Sequence, residues 1–286
     1  MTPAVRCVDC GALYPETGVP YRCPVCHGIY DFDGPFDLHL ASLEPELPGY
    51  WQYRHAFALP AGVPVVSLGE GNTPLVWRDP SGINLGFKLE SLNPSGSYKD
   101  RGSAVLASQL LARGVHEAVE DSSGNAGASF AAYAARAGVV GHVFVPESAS
   151  GPKRQQIERY GADLVRIPGP RSEAARAVLE RVNKGVPYAS HAYLPFGLAG
   201  IATIAYELFN QMNGSVPASV IAPVCHGGLL LGIMRGFQTL VQAGLTEKEP
   251  YYIGVQAAAC DPAVRAYKYG LQAITSQPKS QPWQRV

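Results

Sequence analysis

The chain has 286 residues, enough for one large or two modest domains with real cores. It is 47% hydrophobic and 16% charged, which excludes a disordered chain, and its 23 basic and 23 acidic residues cancel. That neutral balance leaves no broad electrostatic footprint for nucleic acid or an acidic membrane.

The N-terminus "MTPAVRCVDC" holds no apolar run of signal-peptide type. The most membrane-like window, residues 216–234, contains Pro217, Pro223, His226, Gly227 and Gly228. It reads as strand, loop and helix rather than as a span. A cytoplasmic protein with neither a membrane nor a nucleic-acid partner is expected.

Four of the six cysteines fall within the first 26 residues. Cys7-Val-Asp-Cys10 and Cys23-Pro-Val-Cys26 form two C-x-x-C knuckles, and each can aim two thiolates at one tetrahedral ion. So short a segment buries too little apolar surface to fold alone, and a structural zinc would supply the missing stability. Residues 1–40 are therefore expected to be a zinc ribbon with ligands Cys7, Cys10, Cys23 and Cys26, and with His27 as a bystander. Its basic residues are Arg6 and Arg22, against Asp9, Glu16, Asp31, Asp33 and Asp37. A net negative ribbon argues against binding to a phosphate backbone.

Residues 41–66 are Pro-rich, carry Trp51 and Tyr53, and predict a connector with an entry helix. From about residue 85 strands and helices alternate. "LGFKLE" is a strand; "SYKDRGSAVLASQLLARG" is a helix with Ser97 as its N-cap and Gly114 as its stop. "EAVEDS" is a strand, "AGASFAAYAARAG" a helix of small residues, and "VVGHVFVP" a strand closed by Pro146. The helix "GPKRQQIERYGA", the strand "DLVRIP" and the helix "RSEAARAVLERVNKG" follow. Then come the helix "GIATIAYELFNQM", the strand "SVIAPV", a Gly turn, the helix "LLLGIMRGFQTLVQAG" and the strand "YYIGVQ". Such alternation predicts an α/β fold with a mainly parallel sheet, whose ligands sit at the C-terminal ends of the strands.

Three loops fall at such ends. In "NPSGSYKDRG" Lys99 stands in the first turn of its helix, where the positive end of the dipole disfavours an ammonium and lowers its pKa. In "SSGNAGAS" two glycines let backbone approach a ligand, and Asn125 offers both a donor and an acceptor. In "APVCHGGLLLG" Gly227 and Gly228 precede a helix N-terminus, the geometry of a phosphate cradle. Taken singly, each loop is ordinary. Together, an activated lysine, an Asn-bearing turn and a phosphate cradle describe a site for pyridoxal 5'-phosphate.

The stretches "LGEGNTPLV" (68–76), "FKLESLNPSGSYKDRG" (87–102), "SSGNAGAS" (122–129), "PKRQQIERYGADLV" (152–165) and "APVCHGGLLLG" (222–232) resemble, in that order, the threonine synthases of the fold-type II pyridoxal-phosphate enzymes. The N-terminal knuckles resemble the ribbon of many bacterial and archaeal members. The resemblance implies two three-layer domains with mainly parallel sheets, of the tryptophan synthase β-like type. Residues 41–95 and 200–286 would form a discontinuous large cofactor-binding domain, and residues 96–199 the small one. Lys99 would be the Schiff-base lysine and general acid/base. Asn125 would bond the cofactor ring hydroxyl, and Cys225, His226, Gly227, Gly228 and Leu229 would hold its phosphate. Ser122, Ser123 and the amides through Ala126 would hold the carboxylate of a small amino-acid substrate. The implied reaction is conversion of O-phosphohomoserine and water to threonine and phosphate, in a homodimer. Another fold-type II lyase (a serine/threonine dehydratase or a β-replacement enzyme) and an impaired cofactor binder are the alternatives.

Three departures from the family pattern stand out. Cys225-His226 replaces the usual Gly-Asn of the phosphate loop; the backbone donors survive, and the histidine offers an added contact to phosphate. Ala199 and Ala202 stand where relatives often carry Glu and Lys, which predicts a missing polar contact. The family continues through further elements, one of which gives a Ser or Thr to the pyridine nitrogen. Here "TSQPKSQPWQRV" reads as a tail, so a truncated C-terminal part is expected, with Thr275, Ser276 and Ser280 unassigned to that role.

Overall fold

The computed structural model of the chain describes residues 4–60, 62–149 and 151–271. The Gln- and Pro-rich tail, with Thr275, Ser276 and Ser280, lies outside the described residues. Near the start, β1 (Val5–Cys7) pairs antiparallel with β2 (Tyr30–Phe32), with Cys7 opposite Tyr30. The ribbon is docked on the body. Tyr14 meets the edge of the Phe196 ring at 5.0 Å, Arg235 forks onto Asp31 at 2.7 and 2.5 Å, and Arg113 donates to the carbonyls of Pro15, Glu16 and Gly18.

The predicted entry helix is a 3-10 helix, Gly49–Phe57, that buries Tyr50, Trp51, Tyr53, Ala56 and Phe57. Its Trp51 donates Nε1 to Glu70 Oε1 at 2.6 Å, while the Tyr133 hydroxyl donates to Glu70 Oε2 at 2.7 Å. A fully buried carboxylate persists because both oxygens are paired.

An antiparallel pair follows, β3 (Leu75–Arg78) with β4 (Leu85–Lys88). The alternation then runs as read: α1 (Lys99–Ala112), β5 (Glu117–Glu120), α2 (Asn125–Ala137), β6 (Val140–Pro146), α3 (Pro152–Arg159), β7 (Asp163–Ile167) and α4 (Arg171–Val182). Strands β5, β6 and β7 form one parallel sheet in that order. After α4 the chain returns to the free edge of β5, where Val119 bridges Tyr188. Side chains alternate across this sheet. Ala118 joins the main core with residues of α1 and α2, whereas Val119 packs with Phe144, Val178 and Tyr188 on the α4 side.

Next come α5 (Gly197–Gln211), β8 (Ser219–Pro223), α6 (Gly228–Gln242), β9 (Tyr251–Val255) and α7 (Pro262–Lys268), with β8 and β9 parallel. Helix α1 packs against both α2 and α5, and α5 against α6. Small residues set the spacing of the last pair. A Cβ on Gly236 would lie 2.4 Å from Ala202 O and 2.7 Å from Ala205 Cβ. Ala199 and Ala202 are buried on α5, and Ala202 stands where α6 approaches most closely, so a long polar side chain has no room there.

The three-stranded sheet lies within residues 96–199 and the two-stranded sheets β3–β4 and β8–β9 outside them. The two-domain division is a proposal that rests on this sheet membership. Among the described residues, no helix is long and apolar enough to cross a membrane.

Candidate active site

Lys99 opens α1, but the helix start is not capped as the sequence predicts. Tyr98 holds the N-cap position, and the Ser97 hydroxyl is buried without a partner. The fastening comes from Asp100. Its carboxyl accepts from Ser95 N at 2.6 Å, from the Ser95 hydroxyl, and from Ser129 Oγ of α2 at 2.6 Å. Burial raises the Asp100 pKa, and the bonds from Ser129 and Ser95 oppose that rise. The lead before Lys99 and the flank of α2 are thus tied to one carboxyl.

Arg101 holds the other side. Wholly buried, its guanidinium donates to Glu90 at 2.8 and 2.7 Å, to Glu207 at 2.6 and 2.8 Å, and to Thr203 Oγ1 at 2.8 Å. Lys88 joins Glu207 at 2.6 Å. Buried charge of this kind is tolerated because every partner is in place. The expectation that Asp100 and Arg101 brace the helix agrees with these contacts.

Between these braces the Lys99 amine meets the loop before α6. Lys99 Nζ lies 2.6 Å from His226 Nε2 and 4.9 Å from the centroid of the Tyr98 ring. Burial lowers the amine pKa from 10.5 to about 8, while Glu120 and Cys225 pull the other way. His226 is lowered to about 4, first by loss of solvation and then by the Lys99 charge. At neutral pH the ring is therefore uncharged and accepts from the ammonium.

Gly227 caps α6 in a left-handed conformation, φ 93°, which suits glycine. Gly228 is buried, and a Cβ there would stand 2.6 Å from His226 Cε1, so the ring lies over the helix start. The first amides of a helix have no intrahelical acceptor, which leaves them open to an anion. Cys225 is exposed and Leu229 half-buried in the same turn.

The second loop joins β5 to α2. Ser122 Oγ accepts from Gly124 N at 3.3 Å, and a Cβ on Gly127 would lie 1.9 Å from Ser122 O, so the loop folds tightly onto α2. Ser122, Ser123 and Ala126 are half-buried; Asn125 is exposed at the first position of α2. Lys99 and His226 touch directly, and the Ser129–Asp100 bond links α2 to the start of α1.

Two titratable groups beside Lys99 were not singled out from the sequence. His191 Nε2 lies 2.9 Å from Ser103 Oγ, which receives Ser129 Oγ at 2.6 Å. Burial, then the Lys99 charge, hold His191 well below its usual range. Glu120, at the end of β5, is raised well above the usual carboxylate range by burial and by Asp121, with Lys99 opposing. The available signal was two adjacent acids closing an apolar strand, "AVED".

At the ribbon, the sulfurs of Cys7, Cys10, Cys23 and Cys26 all lie within 4.8 Å of one another. Cys7 and Cys26 are 3.4 Å apart, and Cys10 and Cys23 are 3.7 Å apart. A tetrahedron with metal–sulfur bonds of about 2.3 Å has edges of about 3.8 Å, so the donor set fits one ion. His27 adds no atom to this group.

Residues 66–283 match the family model described as "Pyridoxal-phosphate dependent enzyme". The threonine synthase of Methanosarcina acetivorans is 32% identical over 284 residues, covering 96% of this chain and 69% of the relative. That of Methanocaldococcus jannaschii is 34% identical over 275 residues, covering 92% and 67%. The chain thus spans about two thirds of the length of these curated relatives. Among solved structures, a threonine deaminase from T.th. aligns with a TM-score of 0.60 at 28% identity, over 69% of this chain and 63% of that one. Maize serine racemase aligns with a TM-score of 0.63 at 19% identity, over 72% and 62%, a likeness of fold.

Proposed function

The chain belongs to the pyridoxal-phosphate dependent enzyme family, and from that premise we propose that it is a lyase of the threonine synthase type, converting O-phosphohomoserine and water to threonine and phosphate. The observation that carries the site assignment is the buried Lys99 amine, 2.6 Å from the loop that opens α6. The threonine synthase relatives support the choice of substrate.

The residues present fit pyridoxal phosphate. A buried amine with a pKa of about 8 is nucleophilic near neutral pH, as attack on an aldehyde requires. The glycine pair at the start of α6, with its open amides, suits a phosphate group, and the space over Gly228 is the space a Cβ would fill. Bound there, the cofactor supplies an electron sink for negative charge on the substrate carbons.

In this reading Cys225, His226, Gly227, Gly228 and Leu229 hold the phosphate. Asn125 meets the ring hydroxyl, and Ser122, Ser123 and the amides through Ala126 hold the substrate carboxylate. The reaction places a hydroxyl on the β-carbon as phosphate leaves the γ-carbon, so protons must move among adjacent carbons. Lys99 Nζ both takes and gives protons in that pH range.

A zinc ion at Cys7, Cys10, Cys23 and Cys26 is part of the proposal, as are a cytoplasmic location and a homodimer, which light scattering of the pure protein would measure. The deciding assay offers O-phosphohomoserine, serine and threonine in turn. Stoichiometric phosphate and threonine from the first substrate supports the reading. Ammonia and a keto acid without phosphate release points to a dehydratase and overturns it.

A further inference from the structure

Glu120 closes β5 just ahead of the Ser122–Ala126 loop and is 3% exposed. Its neighbours divide by face. Val119 and Asp121 look toward α4: Val119 packs with Val178 and Tyr188, and Asp121 accepts from the Tyr188 hydroxyl at 2.7 Å and from Arg171 at 3.3 Å. Ala118, and by alternation Glu120, look toward the core that α1 and α2 line. Asp121 is satisfied on its side. Glu120 Oε2 is buried with no hydrogen-bond partner. A buried, unpaired carboxyl oxygen is costly and calls for a reason. The cation that acts on it from the α1 side is Lys99; Arg171 acts from the Asp121 side.

We propose that Glu120 is the counter-ion and proton partner of Lys99, a carboxylate while the amine is charged and the acceptor of the proton that the amine sheds. The exchange balances: an ammonium and a carboxylate become an amine and a carboxylic acid, and the pair stays neutral. A dry site can then switch the state of its lysine without holding a lone charge. Glu120 acts through Lys99 and is a positioning residue. This deepens the functional proposal and rests on Lys99 being the reactive amine.

The other groups around the pair do not take this part. His226 and His191 are both held below their usual range, so they are poor proton acceptors. Tyr98 is raised to about 12 and stays neutral. Cys225, which also pulls on the amine, is exposed.

The test uses the cofactor-free protein. Reductive methylation with formaldehyde and cyanoborohydride, read at the Lys99 peptide by mass spectrometry, gives the amine midpoint, near 8 in the wild type. Glu120→Gln removes the negative partner, so the midpoint falls by about one unit and methylation at pH 7 rises about fivefold. Glu120→Asp keeps the charge and returns the midpoint toward the wild type. An unchanged midpoint in a Glu120→Gln protein with the wild-type circular dichroism spectrum overturns the proposal. Should that variant fail to fold, the infrared difference between wild type and Lys99→Ala at pH 7 decides. A gained carboxylic-acid band supports the pair, and no gain overturns it. Neither readout depends on turnover, so a protein that releases no phosphate from O-phosphohomoserine would sink the functional reading and leave this one measurable.

Discussion

Lys99 Nζ and His226 Nε2 meet at 2.6 Å although 127 positions separate them in the sequence. The contact ties the start of α1 to the loop before α6 and explains the Cys-His pair in that loop. A neutral imidazole gives the ammonium an acceptor. In return the Lys99 charge is the second cause, after lost solvation, of the low His226 pKa of about 4. In Lys99→Met the imidazole should titrate higher by about one unit and still fall short of the ordinary value, because its burial persists. A pH titration of the histidine ring signals by NMR checks this; an unmoved His226 signal would break the coupling.

The same burial makes Lys99 a cost to the fold. Its pKa is about 8 folded, against 10.5 for a free lysine. Between those values the unfolded chain binds the proton and the folded one does not, so stability rises with pH across the window. Below pH 8 the whole penalty is present. Lys99→Met should therefore raise the melting temperature at pH 7, by up to about 3 kcal/mol, with the gain shrinking toward pH 10. Thermal melts of both proteins from pH 6 to 10 measure it.

Arg101 is the opposite case. It sits wholly buried between Glu90 and Glu207 and holds the Glu207 carboxyl below its ordinary range, against the upward push of burial. Arg101→Met leaves both carboxylates without their guanidinium and should cost about 3–5 kcal/mol. The sign with pH follows. Stability from a depressed Glu is present above the unfolded carboxylate range and is lost as pH falls through the folded pKa. Wild type should resist acid into that lower range, and Arg101→Met should begin to unfold within the usual carboxylate range. Acid titration followed by circular dichroism tests both.

Gly236 tests the helix packing. A Cβ there meets Ala202 O at 2.4 Å, and Gly236→Ala should cost about 1–3 kcal/mol by forcing α6 away from α5. Urea midpoints of the two proteins give the difference.

At the ribbon, zinc analysis of the purified protein should return one ion per chain. Cys10→Ser should lose the ion and sensitise residues 1–40 to protease, since β1 and β2 are three residues each.

How far the sequence carried the structure depends on the range of the interactions. The alternation from β5 to α4, the knuckles and the three site loops are local patterns, and each appears where its residues placed it. Strands β1, β2 and β3 are three or four residues long, too short to show a period of two. The buried pairs are long-range and left no pattern to read: Arg101 with Glu207, Lys99 with His226, and Trp51 with Glu70. Ser97 shows the same limit, since a serine before a helix predicts a cap and tertiary bonds to Asp100 fastened this helix instead.

The proposed chemistry passes through the Lys99 amine at every step. Incubating the protein with pyridoxal phosphate, reducing with borohydride and mapping the peptides by mass measures whether that amine holds the cofactor. One pyridoxyl group per chain is expected, on the peptide that carries Lys99, and none in Lys99→Ala. A label on another lysine, or no label at all, would contradict the role given to Lys99.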